Sequence, residues 1–294
     1  MIVKRSSIIG YCYGVSNTIR LAEECIRLAK EKDLPCYSLG KLIHNDDVVA
    51  FFEEKGLKPI KSPVGNKPGV ALIRAHGVRD CDRRSFMQAD FQLIDSTCPT
   101  VLKGVNAVRS ASKRGKTIII LGFEGHAETV GLQGVETEEG ILAKTLLITT
   151  AEEAKALVQF NKIDAETPVF VVAQTTFPQA EYKKICEILE EGFKNIGFGN
   201  SPCSLCEKRE QAGYELTCQC DCAVVVGGRE SANSKNLAKM AQKSGKPVFL
   251  VENVAGIRPD LVQELKKYRT VALLSGSSTP LEEVKKVEQV LQAI

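Results

Sequence analysis

Short apolar runs alternate along this chain with longer stretches in which apolar residues recur every three or four positions. The short runs are typical of buried strands, and the recurring pattern is typical of amphipathic helices. Predicted strands cover Ser7–Ile9, Cys36–Leu39, Gly69–Ile73, Phe91–Ile94, Thr117–Leu121, Pro168–Val172, Ala223–Val226 and Val271–Leu274. Predicted helices cover Ser16–Lys30, Asp47–Lys55, Val101–Arg114, Glu207–Leu216 and the C-terminal segment 281–294. Strands that alternate with helices favour mainly parallel sheets, so the predicted fold class is α/β.

This order of elements repeats three times, and each repeat begins with a cysteine between an apolar run and a helix. The three cysteines are Cys12, Cys98 and Cys203. We therefore predict three small α/β domains related by a pseudo-threefold axis, a trefoil. Their boundaries are 13–97, 98–199 and 200–280, and the third domain is completed by 1–12 and 281–294.

Polar residues follow the predicted strands at equivalent places in the three repeats. One set consists of His44, His126 and Ser231, and a second consists of His76, Thr175 and Ser278. Ligands of parallel sheets bind beyond the carboxyl ends of the strands. The sequence therefore predicts one central pocket to which all three repeats contribute.

Composition excludes several classes of protein. The chain has 294 residues, a net charge of +3 and no block of lysine and arginine, which argues against nucleic-acid binding. No apolar run approaches the roughly 18 residues of a membrane span. A strand close to Met1 leaves no room for a leader, so we expect a cytoplasmic protein. In that reducing compartment its eleven cysteines indicate metal binding, redox chemistry or burial rather than disulfides.

The three repeated cysteines favour a metal centre. Structural zinc prefers four close ligands, often in CxxC pairs, whereas widely spaced single cysteines suit an iron–sulfur cluster. Three thiolates on a four-iron cluster leave one iron open for substrate. Cys206 forms a lone CxxC pair with Cys203 that could bind zinc or undergo redox chemistry. We expect the remaining thiols of the same repeat, Cys218, Cys220 and Cys222, to be buried.

The chain contains three histidines, and all of them lie among the strand-end residues. Together with Ser231, Asn233 and Ser278 they would donate hydrogen bonds to an acceptor-rich anion such as a diphosphate. Glu128 lies two residues after His126, which favours a proton donor with a raised pKa. No GxGxxG or Walker motif follows a strand, so a bound nicotinamide or P-loop nucleotide is not indicated.

Seven segments, in this order, resemble the motifs of the 4-hydroxy-3-methylbut-2-enyl diphosphate reductase (LytB) family. They are Gly10–Val15, His44–Asn45, Arg74–Val78, Asp95–Pro99, Gly125–Glu128, Gln174–Thr176 and Ser231–Ser234. The resemblance covers essentially the whole chain and implies an iron–sulfur reductase. Such an enzyme removes the C4 hydroxyl of (E)-4-hydroxy-3-methylbut-2-enyl diphosphate and forms isopentenyl and dimethylallyl diphosphate, the last step of the methylerythritol phosphate pathway.

The resemblance also implies roles for individual residues. Cys12, Cys98 and Cys203 would hold a [4Fe–4S] cluster at the centre of the trefoil. His44, His76, His126, Ser231, Asn233 and Ser278 would bind the diphosphate. Glu128, with Thr175, would deliver a proton to the leaving hydroxyl, and ferredoxin or flavodoxin would supply the electrons.

Four positions depart from the family pattern. Ala127 replaces a proline, Cys206 a threonine and Ala232 a serine, and Arg209-Glu210 stands where Arg-Gln is usual. Ala232 and Cys206 motivate one alternative, a paralogous [4Fe–4S] reductase or dehydratase of the same fold with a different substrate. A non-catalytic iron–sulfur sensor is a further alternative, against which the three histidines argue.

Overall fold

The computed structural model describes residues 1–160 and 162–294, and within them it contains strands and helices in regular alternation. The strands are β1 (Ile2–Arg5), β2 (Cys36–Leu39), β3 (Leu57–Ile60), β4 (Val70–Ile73), β5 (Gln92–Asp95), β6 (Thr117–Leu121), β7 (Thr145–Ile148), β8 (Val169–Ala173), β9 (Ile196–Phe198), β10 (Cys222–Val226), β11 (Val248–Val251) and β12 (Thr270–Ser275). The helices are α1 (Tyr13–Glu31), α2 (Asp46–Glu54), α3 (Asp80–Gln88), α4 (Pro99–Lys113), α5 (Ala127–Gln133), α6 (Ala151–Gln159), α7 (Gln179–Gly192), α8 (Ser204–Cys218), α9 (Ala232–Gln242), α10 (Pro259–Leu265) and α11 (Leu281–Ala293). A 3-10 turn covers Val254–Gly256.

The strands form three four-stranded sheets with one topology. Their orders are β3-β2-β4-β5, β7-β6-β8-β9 and β11-β10-β12-β1. Every pair of neighbouring strands is parallel. The predicted α/β class with three parallel sheets is therefore confirmed.

The chain divides into two compact units. One, here called the C-terminal unit, comprises Met1–Ser16, Ile43–Phe52 and Ser204–Ile294 and contains the sheet built on β10. The other, the central unit, comprises Asn17–Leu42 and Glu53–Cys203 and contains the sheets built on β2 and β6. Each of the three sheets belongs to a different predicted domain, and the domain boundaries themselves stay a prediction.

Both faces of each central strand are covered, which explains why apolar residues dominate these strands. In the C-terminal unit, alternate residues of β10 pack against α11 on one face and α9 on the other. In the central unit, Ile119 and Leu121 of β6 pack with α6 and α7, while Ile118 and Ile120 pack with α4 and α5. Each such side chain contributes about 1.5–3 kcal/mol through burial, so these strands form a rigid base for the loops beyond them.

The predicted strand at Ser7–Ile9 is wrong, because the first strand is β1, which pairs with β12 through Arg5 and Leu273. After Ser6 the chain leaves the sheet. The carbonyls of Ile8 and Gly10 accept hydrogen bonds from the Arg209 guanidinium, so they are not available to a strand ladder.

Two further observations bear on the sequence predictions. Cys220 and Cys222 are buried as expected, but Cys218 is exposed, because it is the last residue of α8 and lies outside the core. Among the helices of residues 1–160 and 162–294, none is both long and apolar enough to cross a membrane.

Candidate active site

The predicted site residues follow the carboxyl ends of the strands in a regular way. His44, His126 and Ser231 each lie five residues after the central strand of a sheet, β2, β6 and β10 respectively. His76, Thr175 and Ser278 follow the next strand in each sheet, β4, β8 and β12. The repeat read from the sequence is therefore present in the local structure.

The three cysteines occupy a third equivalent place. Each follows an edge strand and directly precedes the first residue of a helix: Cys12 before α1, Cys98 before α4 and Cys203 before α8. The positive end of a helix dipole favours negative charge at such a position. All three are partly buried and none forms a disulfide, so each offers a thiol to a ligand.

The predicted site residues are divided between the two units. The central unit carries Cys98, Cys203, His76, His126, Glu128 and Thr175, and the C-terminal unit carries Cys12, His44, Ser231, Asn233 and Ser278.

In the central unit Glu128 is buried in the first turn of α5, with 2% of its surface exposed. Its two carboxylate oxygens accept hydrogen bonds from the backbone nitrogen and from Oγ1 of Thr175, both at 2.7 Å. Burial raises the pKa of Glu128 to about 7, the two hydrogen bonds from Thr175 oppose this, and negative charge at Cys203 adds to it. Near neutral pH the carboxyl group is therefore present in both protonation states and can donate a proton.

Thr175 also connects this carboxyl group to a cysteine. Its carbonyl oxygen accepts a hydrogen bond of 2.8 Å from the backbone nitrogen of Cys203. Its neighbour Gln174 is fully buried and accepts hydrogen bonds from Phe123 N and Thr129 Oγ1. Gln174 thus fixes the loops after β6 and β8 in relation to each other. Gln174 lies in the Gln174–Thr176 motif, but this structural role was not predicted from the sequence.

His126 begins α5 as its N-cap, and its Nδ1 accepts a hydrogen bond of 3.2 Å from Glu128 N. An Nδ1 that accepts carries no proton, so the imidazole has its hydrogen on Nε2 and presents a donor there. The ring of His76 lies edge-on to that of His126, with 5.6 Å between the centroids. Two predicted anion-binding histidines of the central unit are therefore neighbours.

The loop that carries Cys98 is held by hydrogen bonds on both sides of the cysteine. Cys98 N donates to Ala75 O at 3.0 Å. Thr97 donates to Asp95 from both its backbone nitrogen and its hydroxyl. Cys98 therefore has a defined position beyond β4 and β5.

In the C-terminal unit the loop that carries His44 lies against the ends of β10 and β12. Ser278 Oγ donates to His44 O at 3.2 Å, and Asn45 Nδ2 donates to Ser278 O at 3.2 Å. Gly228 leaves room for this loop, because a Cβ there would lie 2.6 Å from His44 O. The loop of His44 and the loop of Ser278 are thus joined by two hydrogen bonds from side chains to backbone carbonyls.

Ser231 and Asn233 lie at the start of α9. Ser231 is the N-cap and accepts a hydrogen bond from Ser234 N at 3.4 Å. Asn233 Oδ1 accepts from Cys206 Sγ at 3.0 Å, which leaves the Nδ2 side of the amide as the donor side. The role of Cys206 was open from the sequence. In the structure Cys206 orients the side chain of Asn233, a residue predicted to bind the diphosphate.

The loop of Cys12 is held by Arg209, a residue that sequence analysis noted only as part of a variant motif. Arg209 donates to Gly10 O and to Ser275 O, both at 2.8 Å. Gly10 N donates to Ser275 Oγ at 2.8 Å, and Cys12 N donates to Ser277 O at 3.2 Å. The only sequence signal for this role is an arginine placed two turns into the helix that follows Cys203.

Comparison with known proteins shows which proteins the chain is similar to. The 4-hydroxy-3-methylbut-2-enyl diphosphate reductase of Caldanaerobacter subterraneus subsp. tengcongensis is 32% identical over 94% of this chain and 92% of its own length. The protein of the same name from Clostridioides difficile is 31% identical over 97% of this chain and 98% of its own.

A solved structure has a similar fold. The E-1-hydroxy-2-methyl-but-2-enyl-4-diphosphate reductase of Plasmodium falciparum has a TM-score of 0.87 and 28% identity, and the match covers 98% of this chain and 87% of that one. The model of the LytB protein family matches residues 3–292. The chain therefore belongs to the LytB protein family.

Proposed function

We propose that this chain is a 4-hydroxy-3-methylbut-2-enyl diphosphate reductase. It removes the C4 hydroxyl of (E)-4-hydroxy-3-methylbut-2-enyl diphosphate and yields isopentenyl and dimethylallyl diphosphate. Family membership over nearly the whole chain supports this activity. The observation that carries it is the buried Glu128 carboxyl group on Thr175, because loss of a hydroxyl as water requires a proton donor. The two relatives carry this name, and the Plasmodium falciparum structure is that of a hydroxymethylbutenyl diphosphate reductase, so the paralogous alternative is not favoured.

The LytB family consists of iron–sulfur enzymes. The residues present fit such a group, because three cysteines that form no disulfide each directly precede a helix, and sulfur is the usual ligand of these clusters. In our proposal Cys12, Cys98 and Cys203 hold a [4Fe–4S] cluster whose fourth iron is open. When bound, the group supplies electrons and a Lewis-acidic iron.

Glu128 supplies the proton to the leaving hydroxyl. With a pKa near 7, its carboxyl group keeps a proton at neutral pH that an ordinary glutamate would have lost. The two hydrogen bonds from Thr175 hold the carboxyl group in one orientation, and its burial keeps bulk water away. The reaction consumes two electrons and two protons in total and releases one water.

The diphosphate is bound by donors rather than by a lysine or arginine cluster. The central unit offers His76 and the Nε2–H of His126. The C-terminal unit offers His44, Ser231 and Asn233, with the Asn233 amide oriented by Cys206. Ser278 would join them by turning its hydroxyl hydrogen from His44 O to the anion. These imidazole, hydroxyl and amide groups can donate hydrogen bonds to many of the phosphate oxygens.

The electrons come from another protein. The absence of a nicotinamide fingerprint in the sequence supports ferredoxin or flavodoxin as the donor. Cytoplasmic localisation likewise stays a prediction.

The direct test is anaerobic. The protein is purified, its iron and sulfide are counted, and the allylic diphosphate is assayed with a strong chemical reductant. We expect about four irons per chain and both isopentenyl and dimethylallyl diphosphate. A matched pair of variants sharpens the result: Glu128→Gln removes the buried acid, and Glu124→Gln makes the same change at an exposed position four residues earlier. A cluster-loaded wild type without turnover contradicts the proposed substrate.

A further inference from the structure

The guanidinium group of Arg209 is buried in the C-terminal unit without an acidic partner. Only 5% of the residue is exposed. Its hydrogen bonds go to Ile8 O, Gly10 O and both oxygens of Ser275, all of them neutral acceptors. Within the described residues, no carboxylate forms an ion pair with it.

A buried guanidinium group whose hydrogen-bond acceptors are all neutral is unusual. A buried charge is costly unless it is paired, and neutral carbonyls satisfy its donors without balancing it. Other arginines of this chain do have acidic partners: Arg109 pairs with Asp80 and Arg84 with Glu136. Burial lowers the pKa of Arg209, and the nearby sulfurs of Cys12 and Cys206 are the groups that raise it. A thiolate at Cys12, together with the group that we propose it holds, would supply the negative charge that carboxylates do not supply here.

Arg209 also acts on the geometry of the Cys12 loop. One of its nitrogens bonds to Gly10 O, two residues before Cys12, and the other bonds to Ser275 O, at the end of β12. Gly10 has φ +78° and directs its N–H to Ser275 Oγ. A single side chain thus joins the cysteine loop to the strand that supports it.

We propose that Arg209 is a positioning residue for Cys12, and that its fixed positive charge makes the bound iron–sulfur group easier to reduce. This inference rests on the proposed function. Reduction adds one negative charge to a group that three thiolates already make anionic. A buried cation nearby stabilises the reduced form more than the oxidised form, and the low dielectric of the interior strengthens this effect.

The test uses the reconstituted full-length protein and three substitutions. Arg209→Gln removes the positive charge and keeps hydrogen-bond donors. Arg209→Lys keeps the charge and loses the planar guanidinium group that bonds to two carbonyls at once. Arg258→Gln is the control at an exposed position, where the side chain is 71% accessible. One readout is the midpoint potential from an EPR-monitored redox titration. The other is hydrogen exchange of the Cys12 loop in the metal-free protein.

For Arg209→Gln we expect the reduction equilibrium to fall about tenfold, which is a potential about 59 mV more negative for one electron. Arg209→Lys should keep a potential near that of the wild type but exchange faster in the Cys12 loop. Arg258→Gln should change neither readout. An unchanged potential in Arg209→Gln overturns the electrostatic role, and unchanged loop exchange in Arg209→Lys overturns the positioning role.

A replacement variant and the wild-type measurements distinguish failure of this inference from failure of the proposed function. If Arg209→Gln fails to fold, Arg209→Met retains the buried stem without a charge and replaces it in the same titration. A wild type that binds no iron after reconstitution overturns the proposed function. A wild type that is loaded and active, with variants that match it in potential and exchange, overturns this inference alone.

Discussion

Removal of the Thr175 hydroxyl should move the pH dependence of turnover in a predictable direction. Thr175→Val is nearly isosteric and deletes the 2.7 Å hydrogen bond from Oγ1 to Glu128, while the backbone N–H of residue 175 continues to donate. The lost bond stabilised the ionised carboxylate. Its removal should therefore raise the pKa of Glu128 above its present value of about 7.

The size of the change follows from the strength of the bond. A hydrogen bond to a charged group contributes about 1.5–3 kcal/mol, and one pKa unit corresponds to 1.36 kcal/mol. The pKa should thus rise by about 1–2 units. A general acid acts only while protonated, so turnover of the wild type should fall as the pH rises through about 7. In Thr175→Val the fall should begin about 1–2 pH units higher.

The assay is the dependence of kcat on pH under anaerobic conditions with a chemical reductant. Thr175→Ser keeps the hydroxyl and serves as the matched control, with the wild-type midpoint expected. Glu128→Gln should remove this limb of the profile and lower turnover by about 10²-fold or more. A Thr175→Val profile with the wild-type midpoint would refute the assignment of Glu128 as the acid.

Three other predictions concern stability, the cofactor and the substrate. Because the folded pKa of Glu128 lies above its usual value of 4.5, the folded state loses stability as the pH rises from about 4.5 to about 7. Glu128→Gln should therefore raise the free energy of unfolding at pH 8 by about 2–3 kcal/mol, measured by chemical denaturation. A decrease would argue against a raised pKa of the buried Glu128 carboxyl group. Cys98→Ser should abolish binding of a full cluster, measured by iron content and visible absorbance; retention of four irons would contradict its assignment as a ligand. Gly228→Ala should displace the His44 loop, because the new Cβ would lie 2.6 Å from His44 O. Overpacking costs about 1–3 kcal/mol, so KM should rise roughly 5- to 100-fold with kcat less affected, and an unchanged KM would remove that loop from substrate binding.

The central strands were predictable because their pattern is local. β2, β6 and β10 are covered on both faces, so most of their residues are apolar, with Ser38 and Thr117 as polar exceptions. The edge strands β3, β7 and β11 were not predicted. Lys58 and Pro59 interrupt the apolar pattern of β3, which is tolerated because an edge strand has one free side.

The start of the chain shows a second limit of local reasoning. The segment Ser7–Ile9 looks like a strand, yet the strand is β1, which lies four to five residues earlier, because pairing with β12 near the other end of the chain decides the register. The hydrogen bonds of Arg209 then hold residues 8–10 outside the sheet. No feature of residues 1–12 indicates this.

The sequence by itself determined the threefold repeat, the parallel α/β class and the positions of cysteines, histidines and serines just beyond the strands. It could do so because hydrophobic periodicity and strand–helix junctions are properties of neighbouring residues. Only the tertiary structure decided the state of the side chains at those positions. The pKa of Glu128 depends on burial and on Thr175, 47 residues away, and the balance of charge around Cys12 depends on Arg209 in a distant helix. Desolvation and electrostatics act through space, so they become visible only once the chain is folded.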